Sequence, residues 1–180
     1  MNAVSPKLAA ADPSDATAAL QHLTFWLGER VFAVGIEAVR EIIQYGAMTL
    51  VPRTPDFVRG VINLRGSVVP VIDLQARLGR GPAEVGEKTC IVIFEARRPN
   101  GSHVERIELG LMVDAVSEVI DIDPASVEPA PTFGSAIGRE HIRGVVRRQE
   151  RFITLLETDH VLDIEALACL CDEEQERLAA

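Results

Sequence analysis

Few residues in this chain could carry chemistry: the histidines His22, His103, His141 and His160, the cysteines Cys90, Cys169 and Cys171, and the acids Asp114, Glu118, Asp121 and Asp123. A zinc hydrolase needs histidines at fixed helical spacing beside a carboxylate, as in H-E-x-x-H, and these four are scattered. Cysteine frameworks and zinc ribbons need paired or C-x-x-C spacing, so plain buried or half-buried thiols are expected instead. The acidic run lacks the turn glycine and the terminal glutamate of an EF-hand loop and reads as a solvated edge of secondary structure. Glu95 would serve as a general acid only if buried beside a second carboxylate, and no partner for it is visible. No G-x-S-x-G elbow or phosphate loop occurs, and the glycines at 79 and 81 lack a third at the required place. The residues therefore predict a protein without catalysis, metal or cofactor.

Composition narrows the partners. There are 27 acidic against 18 basic residues, and the net charge of −9 repels nucleic acid and anionic lipid alike. No apolar run approaches the roughly 20 residues of a membrane span, so no direct membrane insertion is expected. Apolar residues make up 47% of the chain but Phe, Trp and Tyr only 4%, so the core must be built from Val, Ile and Leu, which favours strands. Residues 1–19 carry no apolar segment like that of a secretory signal and read as a flexible arm.

Those chemically sparse residues sit between clear hairpin signals. Apolar runs flank a loop at 28–30, a turn at Gly66-Ser67 and a turn at Gln149-Glu150. Pro70 demotes its strand to an edge or a bulge. Val39, Ile42 and Ile43 stand at helical spacing, which predicts a short helix over 37–43. Residues 97–106, with Pro-Asn-Gly, read as a polar loop between strands at 88–96 and 107–113. From 159 onward the periodicity is helical, and residues 169–180 form an acidic helix end.

Internal likeness is more informative. IEAVREII at 36–43 is echoed by VDAVSEVI at 113–120, PDF at 55–57 by PTF at 131–133, and RGVI at 59–62 by RGVV at 143–146. Each half then runs through a polar turn into an apolar strand closed by an acid, Asp73 or Glu157. Two copies of one β module, of roughly 60–70 residues each, are too small to be comfortably stable alone and should share an apolar interface. The expected fold is mostly β, with two small barrels side by side, short helices and a C-terminal helix. The boundary between the halves falls near 79–87, with strands or helices open to sharing between them.

The stretch GVINLRGSVVPVIDL at 60–74 resembles the signature of the CheW family, G-V-x-N-L-R-G-x-x-x-P-[VI]-[VI]-[DN]-L. Further matches are VREII at 39–43, Pro52 and Pro55 before Phe57, VDAV at 113–116 and PAP at 129–131, so the likeness runs from 23 to about 167. The resemblance implies a single family domain over 20–168 built of two five-stranded SH3-like barrels. It also implies a non-catalytic adaptor without cofactors, binding the cytoplasmic tip of methyl-accepting chemoreceptors and the regulatory domain of a CheA-type histidine kinase. Such a protein works in the cytoplasm, in receptor arrays at the inner face of the membrane. With 180 residues there is no room for a kinase or receiver domain beside the adaptor.

By residue match, Ile36, Val39, Glu41, Gly60, Asn63, Arg65 and Gly66 fall in the family's receptor-binding groove. Arg65, read from its position alone, is either a cation reaching a partner's carboxylate or carbonyls, or an exposed turn arginine. Gly60 reads as a close approach or a strand entry, and Val39 as core or contact. The competing function is a small-ligand-binding β protein using the groove between the barrels.

Overall fold

The computed structural model describes residues 19–130 and 141–158. The expected arm up to residue 18 and the expected C-terminal helix, with His160, Cys169 and Cys171, lie outside the described residues.

Among the described residues, ten strands form two five-stranded sheets. In chain order they are β1 Leu20–Leu27, β2 Arg30–Gly35, β3 Val39–Gln44, β4 Val58–Leu64, β5 Ser67–Asp73, β6 Cys90–Asn100, β7 His103–Val113, β8 Ala115–Ile122, β9 Ile142–Arg148 and β10 Arg151–Leu156. A short helix, α1, spans Leu74–Arg77. The first barrel has the order β8-β1-β2-β10-β9 and the second β3-β6-β7-β5-β4. Each barrel therefore takes two strands from one sequence copy and three from the other. The copies are joined in each sheet by one parallel and one antiparallel pairing, β2 with β10 and β1 with β8 in the first, β5 with β7 and β3 with β6 in the second. The connector at 79–87 lies between the copies in the chain, while strands from both sides of it meet in each sheet.

The exchange has a physical reason: neither copy alone encloses a core of adequate size. In β1, Leu23, Phe25 and Leu27 enter a shared cluster with Phe32, Val34, Val92, Phe94, Leu109 and Leu111, drawn from both barrels. Phe25 and Phe32 stack with ring centroids 6.4 Å apart. Each such side chain contributes about 1.5–3 kcal/mol of burial, so separating the barrels would be costly. Inside each barrel a smaller cluster remains, with Ile120, Val146, Ile153 and Leu155 in the first and Val69, Val71, Ile91, Ile93 and Met112 in the second.

The copies match strand for strand. Phe25 opposite Phe32 corresponds to Phe94 opposite Leu109, and Leu155 opposite Ala33 corresponds to Val71 opposite Gly110. Even the connectors agree, since an isolated bridge joins Thr49 to Val61 and another joins Glu128 to Val145.

Three local expectations are corrected. Residues 37–43 are not a helix: a single 3-10 turn at Ile36–Ala38 leads into β3, because stiff β-branched side chains and pairing with β6 outweigh the 3.6 spacing. Residues 97–106 are not a loop, for β6 and β7 continue to a two-residue turn at Gly101-Ser102. Their polarity marks a hairpin end that projects into solvent. Pro70 stands neither on an edge strand nor in a bulge, since β5 lies between β4 and β7. It is tolerated because pairing with β7 begins only at Val71, so the missing N–H removes no bond there.

Candidate functional site

The β4–β5 turn is made by Arg65, φ 53°, and Gly66, φ 86°. Two consecutive left-handed residues match the strand twist of a two-residue hairpin, a geometry that Gly66 accepts at no steric cost. Asn63 Oδ1 accepts the Gly66 N–H at 2.9 Å and locks the turn. Arg65 is thereby held at the tip with its side chain 74% exposed.

Its guanidinium meets Glu41, with Nη2 2.9 Å from Oε1 and 3.0 Å from Oε2. Glu41 lies on β3 beside a bulge between Val39 and Glu41. Since β3 and β4 are the two terminal strands of the second sheet, no ladder joins them there, and this ion pair ties the ends across the seam. Arg65 therefore has a partner within the chain. An exposed pair of this kind contributes little to stability, about 0–1 kcal/mol, and its carboxylate and guanidinium can be re-partnered at low cost.

The remaining expected site residues are engaged elsewhere. Ile36 and Val39 are half-buried against the shared core. Gly60 is a close approach: a Cβ there would lie 2.5 Å from the Thr49 carbonyl oxygen, which accepts the Val61 N–H at 2.8 Å. The structure thus gathers Glu41, Asn63, Arg65 and Gly66 into one hydrogen-bonded unit, with Gly60 supporting β4 and Ile36 and Val39 packed on the shared core at the start of β3. Helical spacing had placed Ile42 with the apolar face, but β3 exposes it by 43%, next to Glu41. Strict alternation along 39–44 was the signal that would have found it.

Other candidate groups have structural work. Glu95 is half-buried and bound by Arg40 and Arg106. The Arg40 hydrogen bond, aided by the surrounding arginine charges, holds its carboxyl below the usual carboxylate range. Asp73 is buried at 1% exposure, accepts N–H groups from Ala76 at 3.1 Å and Ala83 at 2.8 Å, and faces Arg59 Nε at 3.4 Å. Asp114 accepts the Gly28 N–H and Asp123 caps the 3-10 turn at Pro124–Ser126. Among the described residues, no three His, Cys, Asp or Glu side chains gather as a metal site, and no helix is long and apolar enough to cross a membrane.

Known proteins resemble this chain over most of its length. The CheW-like domain matches residues 21–166. The chain is 37% identical over 157 residues to the chemotaxis protein CheW of Rhizobium meliloti, covering 83% of this chain and 96% of that one. It is 36% identical over 123 residues to protein FrzA of Myxococcus xanthus, covering 68% and 71% of the two chains. The crystal structure of the scaffolding protein TtCheW from Thermoanaerobacter tengcongensis superposes with a TM-score of 0.70 at 31% identity, covering 85% of this chain and 94% of that one. With two exchanged barrels, a locked Arg65-Gly66 turn and a family match over most of its length, the chain belongs to the CheW-like family.

Proposed function

We propose that this protein is a non-catalytic scaffold that couples the cytoplasmic tips of methyl-accepting chemoreceptors to the regulatory domain of a CheA-type histidine kinase. On this reading it works in the cytoplasm, at receptor arrays on the inner face of the membrane. The observation that carries it is the exposed Arg65, presented on a locked turn and held by Glu41 in a family whose relatives include chemotaxis proteins. Such a guanidinium can exchange Glu41 for a carboxylate or helix carbonyls on a receptor hairpin, forming charge-assisted bonds without refolding. Gly60, Ile36 and Val39 act by shaping and supporting β4 and β3 rather than by direct recognition.

The test is titration of wild type and Arg65→Ala with receptor signalling fragments and, separately, with the kinase regulatory domain. Receptor affinity should fall by about 1.5–3 kcal/mol, with kinase-domain affinity less affected and the melting temperature unchanged. Equal receptor affinity of the two proteins would remove Arg65 from the site. Binding of neither partner by the wild type, with saturable binding of a metabolite in equilibrium dialysis, would favour the small-ligand alternative.

A further inference from the structure

The first barrel has a cavity of about 380 Å³ between β8 and the β9–β10 turn, lined by Thr24, Trp26, Ser117, Glu118, Arg148 and Arg151 among others. Arg148 and Arg151 stand directly opposite each other at the end of the β9–β10 ladder. Like charges so placed disfavour the pair, and among the described residues neither has an acidic partner. Arg151 instead lies over the Trp26 ring, 5.4 Å from its centroid.

The twin barrel shows what is missing. In the common register Trp26, opposite Val31, stands where the second barrel has Glu95, opposite Glu108. Arg148 and Arg151 stand where it has the neutral pair Leu64 and Ser67. Glu95 is the carboxylate that the second barrel supplies to its own arginines, Arg40 and Arg106. The first barrel has two arginines where its twin has a neutral pair, and an indole where its twin has the carboxylate.

We propose that this cavity binds a carboxylate side chain on an acidic segment of a partner protein, held by Arg148 and Arg151 beside Trp26. The opposite wall sets the charge it accepts. Glu118 lines the cavity, its backbone fixed by Thr24, whose hydroxyl donates to the Glu118 carbonyl at 2.8 Å and accepts its N–H at 3.1 Å. That carboxylate repels a phosphate dianion more than a monoanionic side chain. In a chain of net charge −9 such a site attracts an anion only at short range. The site is independent of the Arg65 turn, so the two proposals fail separately.

Trp26 is the chain's single tryptophan, and its fluorescence reads the cavity directly. The full chain is titrated with acetylated, amidated Gly-Glu-Gly, with its Gly-Gln-Gly analogue and with inorganic phosphate. The glutamate peptide should give a saturable change that disappears at about 0.5 M salt, where screening acts within a few ångströms. The glutamine peptide and phosphate should bind about tenfold more weakly or worse. Arg148→Gln with Arg151→Gln should abolish the response without lowering the melting temperature. Arg148→Leu, which copies Leu64 of the twin, should fold and bind several-fold more weakly. Glutamate and glutamine peptides binding alike, phosphate binding better than the glutamate peptide, no saturable response, or arginine variants binding like wild type would each overturn the proposal.

Discussion

The two barrels share a backbone plan and differ at the same end. In the second, charge is neutralised within the chain: Glu95 takes Arg40 and Arg106, and Glu41 takes Arg65 across the seam. In the first, Trp26 replaces that carboxylate, and Arg148 and Arg151 line a cavity with it and Glu118, with Arg151 over the Trp26 ring. Duplication therefore preserved what the strands need, which is register, turns and an inward apolar set. Outward side chains at the barrel ends were free to diverge, because surface substitutions change stability by only about 0.5 kcal/mol. The barrel ends are where one fold can offer two different surfaces.

The sharpest way to break the comparison is at the acids that close each copy. Asp73 and Glu157 both receive a strand-end bond, their N–H groups donating to Phe57 and His141 carbonyls at 2.7 and 2.9 Å. Only Asp73 is buried, on Arg59 and two further N–H groups. Asp73→Ala should cost about 3–5 kcal/mol by leaving a charge and donors unpaired, and Glu157→Ala under about 1 kcal/mol. Urea denaturation of both variants measures this, and equal losses would erase the asymmetry.

A smaller effect tests the likeness itself. Gly60 and Gly144 occupy matching places, and an added Cβ would meet the Thr49 carbonyl oxygen at 2.5 Å in one and the Glu128 carbonyl oxygen at 2.7 Å in the other. Both Gly→Ala changes should destabilise by about 1–3 kcal/mol, as overpacking does. A neutral Gly144→Ala would show that the second connector yields where the first does not.

The seam pair comes next. A double-mutant cycle of Glu41→Gln and Arg65→Ala, read by thermal melts, should give a coupling within about 0–1 kcal/mol that shrinks with added salt. A larger coupling would make the pair a structural clasp.

The smallest expected effect is acid sensitivity at Glu95. Its folded-state pKa is depressed below the ordinary 4.5, so its stabilisation is complete above that value and is lost as pH falls through the folded-state pKa. Melting temperature followed from neutral pH down through the carboxylate range should fall less steeply in Arg40→Gln than in wild type. Identical acid limbs would show that Arg40 does not stabilise the ionised Glu95.

The sequence alone determined the mostly β class, the duplication and the main hairpins, because alternation and turn residues such as Gly66 act within a few residues of the chain. It also pointed to Arg65 at a tip, since a turn must expose its central residues. Tertiary structure decided the rest. Residues 37–43 fit both periodicities, and only the partner strand β6 selected the strand. Both copies carry the same local pattern, so nothing local says whose β1–β2 hairpin joins whose β3–β5 unit. Burial of Phe25, Phe32 and Phe94 in one shared core made the exchange. The pairing of Arg65 with Glu41, 24 residues apart, and the open arginines of the first barrel follow from closure of those sheets, a property of the whole chain.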